Sequence, residues 1–272
     1  MKHRGQKTFL IAILSATSLV SLFPILWMFL TAIRPKSEIF SRSFHLLPSH
    51  PVWHNIAYAW STYSIGDWLI NSTTVTLIGT VLTVFIDFLA GYAFAQFQFR
   101  GRDWLFICFL ATLMLPAQVL LVPQFIGVAA LGGVNRFWAV ILPRAAETYG
   151  VFLARQLLAA LPDELLESAR LDGASEWSIF WRIVVPLSRP AIAVLFLMLA
   201  LGFWNDFGLP LVIFQDPQSM TLPVGLGMPQ GQHVTDYASL MTIALFSILP
   251  IITLFIALQR YFIQGFSRTG LK

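Results

Sequence analysis

The sequence predicts an all-α membrane protein with six transmembrane helices. Of its 272 residues, 57% are hydrophobic and only 11% are charged, whereas a soluble domain carries about 25% charged residues. A helix that crosses the bilayer needs about 20 mainly apolar residues, and six stretches of the chain are long enough. They leave little chain for a soluble domain, so we expect a single transmembrane domain over residues 1–272.

Each of the six predicted spans is bounded by charged, proline or glycine residues. The predicted spans are residues 9–33, 68–97, 104–129, 137–158, 191–214 and 237–262. The first span follows Lys2, Arg4 and Lys7, as the apolar part of a signal peptide would. Its apolar run is too long for a signal peptide, so we expect it to stay as an anchor.

The basic residues predict the orientation, because Lys and Arg accumulate in short cytoplasmic loops. An N-terminus inside the cell puts most of them on the inner side and few on the outer side. The inner set is Lys2, Arg4, Lys7, Arg100, Arg102, Arg155, Arg170, Arg182, Arg189, Arg260, Arg268 and Lys272, and the outer set is Arg34, Lys36, Arg42 and Arg136. Both termini are therefore predicted to be cytoplasmic, and the net charge of +4 requires no nucleic-acid partner.

Residues 161–190 form a charged segment between two long apolar stretches. Pro162 followed by two acids predicts a helix start, because proline suits the first turn and acids favour the positive end of the helix dipole. Gly173 ends this helix, and Ser175 caps a second one that ends at Pro186. Leu161, Leu165 and Ala169 make an apolar stripe on the first helix. By composition alone, an amphipathic helix at the membrane edge explains the segment equally well.

The charged segment resembles the conserved cytoplasmic loop of binding-protein-dependent ABC importer permeases. The match rests on Glu167-Ser168-Ala169, then Gly173, Ile183 and Pro186 at the family spacing, with Ser168 and Val185 as departures. Other matches point to the carbohydrate type and to the smaller permease of maltose-type importers. They are Asp172-Gly173-Ala174, Trp204-Asn205-Asp206-Phe207, Thr221-Leu222-Pro223-Val224, Phe99-Arg100-Gly101-Arg102 and Leu115-Pro116.

This resemblance implies that the segment is a coupling helix seated in a groove of an ATPase subunit. The residues it assigns to coupling are Leu165, Glu167, Ala169, Asp172, Gly173, Ala174 and Pro186. It also implies a bacterial inner-membrane complex with a second homologous permease, two copies of an ABC ATPase, and a periplasmic or lipid-anchored solute-binding protein. The basic tail, residues 259–272, either reaches the ATPases or ends in solvent.

No phosphate-binding loop G-x-x-x-x-G-K-[ST] occurs in the chain. We therefore expect ATP and Mg²⁺ to bind the partner ATPase, and no cofactor to bind this chain. The sequence also lacks the metalloprotease and serine-hydrolase motifs, and its five histidines lie outside the predicted spans. We expect no enzyme activity and no metal site, and we interpret Cys108 as a packing residue.

Ionisable residues inside spans are costly and indicate a cavity or a partner. Arg144 and Glu147 are three apart and able to pair with each other. At about 1.5 Å per residue, Arg144 and Asp206 both fall in the outer half of the membrane, whereas Asp87 falls nearer the inner side. The candidate cavity residues are Trp204, Asn205, Asp206, Phe207, Arg144 and Glu147.

The residues around Asp206 suit a carbohydrate, which needs hydrogen bonds to its hydroxyls and an aromatic surface for its C–H face. Gly202, Gly208 and Pro210 are able to break the helix there, as are Pro116 and Pro123 in the third span. A polar kink that only packs helices is the alternative.

The sequence predicts the permease subunit of an ATP-driven importer for a sugar or related solute, working by alternating access. A glycerol-phosphate or polyol importer of the same family is one alternative, since Arg144 could meet an anion. An ion-coupled secondary transporter, with Asp87, Arg144 and Glu147 as a proton relay, is the other, but it leaves the charged segment unexplained. The sequence does not name the solute.

Overall fold

The regular structure of the chain is helical. The computed structural model describes residues 2–41, 45–230 and 235–269, and the side chains of 6–7, 9–41, 45–230 and 235–260. Within these residues the strand-like pairing is limited to an isolated bridge between Gln230 and Thr235. This confirms the predicted all-α class.

The helices take the following order. They are α1 (Lys2–Ala32), α2 (Lys36–Ile39), α3 (His54–Thr62), α4 (Ile65–Gln96), α5 (Arg102–Ala111), α6 (Ala117–Ala130), α7 (Trp138–Ile141), α8 (Thr148–Leu158), α9 (Asp163–Leu171), α10 (Glu176–Ile179), α11 (Val185–Leu187), α12 (Arg189–Trp204), α13 (Gly208–Ile213), α14 (Leu222–Gly225) and α15 (Tyr237–Thr269). Short 3-10 turns cover Thr112–Met114 and Leu142–Arg144, and a π turn covers Phe180–Val184.

The chain forms two compact units, residues 1–66 with 225–249 and residues 67–224 with 250–272. In the first unit, Lys36 and Asp236 form an ion pair at 3.3 Å, and the ring of Trp60 packs edge-on against Phe246. The second unit contains the charged segment and all the predicted cavity residues.

Four helical stretches in the described part of the chain are long and apolar enough to cross a membrane. They are Phe9–Ala32, Ile65–Gln96, Arg189–Ile213 and Tyr237–Arg260. These stretches coincide with the first, second, fifth and sixth predicted spans. Their length and composition support a membrane protein.

The third predicted span is not one straight helix, because the chain bends by 100° between Arg102–Met114 and Ala117–Ala130. Leu115 and Pro116 at the bend are extended, with ψ of 121° and 130°. Proline disfavours the helical conformation of the residue before it, so the break predicted at Pro116 is confirmed. Pro123 lies inside α6 and does not interrupt it.

The fourth predicted span is also interrupted, which corrects the expectation of a single helix over residues 137–158. It consists of α7, the 3-10 turn Leu142–Arg144 and α8. Pro143 stands at the start of the 3-10 turn, and Glu147 is extended, with φ −105° and ψ 125°. The predicted position of Arg144 in the outer half of the membrane assumed a continuous helix, which the structure does not contain.

The buried side chain of Asp87 on α4 holds the start of α8. Its Oδ1 accepts a hydrogen bond of 3.0 Å from the backbone N–H of Glu147, and the side chain is 0% exposed. A carboxylate at a helix N-terminus is stabilised by the unpaired N–H groups and by the helix dipole. A Cβ at Gly150 would overlap Asp87 Oδ2, so glycine permits this close approach.

We expect Gly150→Ala to lower the free energy of unfolding by about 1–3 kcal/mol, the usual cost of forcing extra volume into a packed site. Gly127→Ala in α6 is the matched control, because a Cβ there meets nothing within 4 Å. That change should raise stability slightly, since alanine favours helix over glycine. Thermal unfolding of the purified variants measures both effects, and equal melting temperatures would contradict the role given to Gly150.

Candidate functional site

The charged segment folds as a helix, a glycine turn and a second helix, as predicted. Helix α9 begins after Pro162, and Gly173 takes φ +80°. The N–H of Ala174 donates to the carbonyl of Ala169 at 3.0 Å, which closes the end of α9. A Cβ at Gly173 would meet nothing within 4 Å. Glycine is therefore favoured by its backbone conformation, not by a lack of space.

The second helix begins at the predicted cap. The Oγ of Ser175 accepts a hydrogen bond of 3.3 Å from the N–H of Ser178. After α10 the chain passes through the π turn into α11, which ends one residue beyond Pro186. The predicted helix thus forms, with a π turn that its sequence did not indicate.

The buried side of α9 centres on Leu166, which is 0% exposed, and not on Leu165, which is 40% exposed. Leu161, Ala169 and Ala174 pack against the same apolar cluster as Leu166. That cluster includes Leu158, Ile179, Phe180, Val184, Leu195 and Leu199. Burying one leucine side chain stabilises the folded state by about 1.5–3 kcal/mol. This side of α9 is therefore packed stably against the rest of the chain.

The predicted coupling residues therefore divide into two groups. Leu165, Glu167, Asp172 and Gly173 are exposed. Ala169, Ala174 and Pro186 are only partly exposed. The exposed group is the one that a partner subunit can reach, and its predicted role in coupling stays a prediction.

A polar contact that sequence reasoning missed ties the charged segment to α4. Arg170 Nε donates to Glu176 Oε1 at 2.7 Å, and the hydroxyl of Tyr92 donates to Glu176 Oε2 at 3.0 Å. The hydrogen bond from Arg170 lowers the pKa of Glu176 below its ordinary value, so Glu176 is ionised at neutral pH. Arg170 and Glu176 lie on opposite sides of the glycine turn, and no helical spacing relates them to each other or to Tyr92.

A cavity of about 390 Å³ lies where the third, fourth and fifth predicted spans are broken. The start of α6, the residues before α8, and the gap between α12 and α13 border it. Its lining comprises Ala117, Gln118, Leu120, Leu121, Gln124, Arg144, Glu147, Gly202, Asp206, Gly208 and Leu209. Helix breaks leave backbone and polar side chains free to line a cavity at membrane depth.

Arg144 is the centre of the polar side of this cavity. Its Nε and Nη2 donate to Oε1 of Glu147 at 2.8 and 2.5 Å, and its Nη1 donates to Oδ2 of Asp206 at 3.1 Å. The guanidinium also lies 4.2 Å from the ring centroid of Phe203. The predicted pairing of Arg144 with Glu147 is present, and Asp206 joins it.

The remaining candidate cavity residues lie elsewhere. Trp204 is 5% exposed and packs in the interior. The amide of Asn205 donates to the carbonyl of Leu201 on its own helix, and Phe207 is 48% exposed but does not line the cavity. Of the six predicted cavity residues, Arg144, Glu147 and Asp206 line it.

Two cavity residues were missed by sequence reasoning. Gln118 and Gln124 on α6 both line the cavity, and each contributes an amide with donors and an acceptor. The sequence did contain an indication of these residues, namely two amide side chains in an otherwise apolar stretch. The 100° bend directly before α6 brings this helix to the cavity.

Two other predictions concern metal binding and the tail. Among the described residues no group of three or more His, Cys, Asp or Glu side chains is arranged to hold a metal. The predicted contact of the tail, residues 259–272, falls on side chains that lie outside the described residues beyond Arg260.

Comparison with known proteins gives consistent matches. The family model described as binding-protein-dependent transport system inner membrane component matches residues 87–268. The arabinooligosaccharides transport system permease protein AraQ of Bacillus subtilis is 35% identical over 258 residues, covering 94% of this chain and 92% of the relative. The sn-glycerol-3-phosphate transport system permease protein UgpE of Yersinia pestis is 31% identical over 271 residues, covering 97% and 96%.

The fold is similar to that of a solved structure. A chain from a bacterial ABC transporter involved in the import of the acidic polysaccharide alginate superposes with a TM-score of 0.81, at 22% identity, covering 95% of this chain and 97% of that one. The family match extends from Asp87 on α4 through the cavity and the charged segment to α15. The chain therefore belongs to the family of binding-protein-dependent transport system inner membrane components, and it is a transport subunit, not an enzyme.

Proposed function

We propose that the chain is one of two paired permeases in an ABC importer for a sugar or related solute. The paired permease, two ATPase copies and a solute-binding protein complete the complex, and ATP with Mg²⁺ binds the ATPases. The family match over residues 87–268 carries this proposal. The kind of solute is suggested by relatives that transport arabinooligosaccharides and sn-glycerol-3-phosphate.

In this proposal the chain crosses the membrane six times with both termini in the cytoplasm. The bent pair α5–α6 makes the third crossing, and α7 with α8 makes the fourth. The excess of Lys and Arg on one side supports this orientation. The charged segment then faces the cytoplasm, where the ATPases bind.

The charged segment transmits ATPase movement to the transmembrane helices. Its exposed face, with Leu165 and Glu167, meets the ATPase. Its buried face packs on the apolar cluster through Leu166. The hydrogen bonds from Arg170 and Tyr92 to Glu176 connect the segment to α4. Packed cores and polar networks resist deformation, so displacement of α9 moves α4 with it.

The orientation is tested by thiol labelling with a reagent that does not cross membranes. In a Cys108→Ser background, Leu131→Cys and Leu171→Cys place single thiols at exposed positions, 75% and 88% exposed. We expect intact cells to label position 131 and inverted vesicles to label position 171. Labelling of position 171 in intact cells would overturn the cytoplasmic assignment of the charged segment.

The link to α4 is tested by Tyr92→Phe, which removes only the hydroxyl that donates to Glu176. We expect solute transported per ATP hydrolysed to fall about two- to tenfold, the range that corresponds to one hydrogen bond. Tyr149→Phe is the matched control, because the hydroxyl of Tyr149 donates to the sulfur of Met198 on α12, outside the charged segment. An unchanged ratio in Tyr92→Phe would show that this contact does not transmit movement.

The proposed function itself is tested in proteoliposomes that contain the assembled importer. We expect uptake of the solute carried by the binding protein to require internal ATP and to persist with a protonophore. Uptake that continues without ATP and stops with the protonophore would support a secondary transporter instead.

A further inference from the structure

The cavity is unsuited to an anionic solute although it contains an arginine. Arg144 carries one positive charge, and the carboxylate of Glu147 alone balances it at 2.5 Å. Asp206 adds a second carboxyl group at 3.1 Å. The other lining residues have no ionisable side chain. The charged groups of the lining therefore provide no excess positive charge.

The hydrogen-bonding capacity of Arg144 is also largely used. A guanidinium has five N–H donors. Two donate to Glu147 and one to Asp206, and a fourth points at the carbonyl of Gly202 at 3.3 Å. The ring of Phe203 covers one face of the group. A phosphate or carboxylate would have to displace the carboxyl group of Glu147 to form a bidentate contact with Nε and Nη2, the kind of contact that arginine normally makes with anions.

The same groups are well suited to hydroxyls. Carboxyl oxygens accept hydrogen bonds, and the amides of Gln118 and Gln124 both donate and accept. A sugar hydroxyl does both as well, so it fits a lining that mixes acceptors and donors. The apolar side of the cavity, with Leu120, Leu121 and Leu209, suits the C–H face of a sugar ring. At about 390 Å³ the volume is at the small end of ligand cavities.

We propose that this cavity takes an uncharged polyhydroxylated solute and excludes phosphate esters and acidic sugars, because Glu147 and Asp206 occupy Arg144. The proposal rests on the proposed function of the chain as an importer subunit. It separates this chain from a glycerol-phosphate importer, which sequence reasoning left open. In this proposal Arg144 positions the two carboxyl groups, and these groups form hydrogen bonds with the solute.

The test measures equilibrium binding to the complete importer in nanodiscs, without its binding protein. The probes are arabinotriose, which is uncharged, and glycerol 3-phosphate, which is an anion. We expect the wild type to bind arabinotriose more tightly than glycerol 3-phosphate. Tighter binding of glycerol 3-phosphate, or binding of neither probe, would overturn the proposal.

A double variant, Glu147→Gln with Asp206→Asn, removes both negative charges and keeps the shape of the side chains. We expect arabinotriose binding to weaken and glycerol 3-phosphate binding to strengthen, each by about tenfold or more, since contacts with a charged group are the strong ones. Asp67→Asn is the matched control, because Asp67 is an exposed carboxylate in the first turn of α4. It should leave both affinities unchanged.

Two measurements keep this test independent of other failures. Size-exclusion chromatography reports whether the double variant still assembles. If it does not assemble, the comparison of the two probes in the wild type still tests the proposal. ATP-driven uptake is measured separately in proteoliposomes. Absence of ATP-driven uptake with normal probe binding would count against the proposed function. A preference for glycerol 3-phosphate with normal ATP-driven uptake would count against the charge selectivity alone.

Discussion

The hydrogen bond between buried Asp87 and the backbone of Glu147 organises the second unit of the chain. It caps the start of α8, directly after the stretch of the fourth predicted span that lines the cavity. Arg144 and Glu147 belong to that stretch. The cost of a carboxyl group at membrane depth is offset in part by the unpaired N–H groups at the start of α8.

Helix α4 connects the two functional regions of this unit. Asp87 and Tyr92 lie five residues apart on it, a separation of about 7.5 Å along a helix. Asp87 supports the cavity side, and Tyr92 contacts the charged segment through Glu176. One helix thus contacts both the charged segment and the residues beside the cavity.

Sequence reasoning found what short-range rules control. Residue preference and spacing predicted the long apolar helices, the glycine turn at Gly173, the cap at Ser175 and the break at Pro116. Sequence reasoning missed the features that depend on contacts between residues far apart in the sequence. Leu166 is buried and Leu165 is exposed because the apolar cluster packs against one side of α9. Sequence reasoning grouped Arg144 with Asp206 as cavity residues but did not predict their ion pair. The contact of Tyr92 with Glu176 depends on tertiary packing, for which a single sequence carries no signal.

The π turn at Phe180–Val184 has a consequence for how this segment tolerates insertions and deletions. A π turn accommodates one residue more than α-helical geometry does, and each residue of an α-helix turns the chain by about 100°. Loss of one residue within the turn would restore regular helical geometry and leave the residues before it with nearly the same orientation relative to α12. Loss of one residue within α10 has no such outlet and would rotate the residues before it by about 100°. The segment should therefore tolerate a deletion within Phe180–Val184 better than a deletion within Glu176–Ile179.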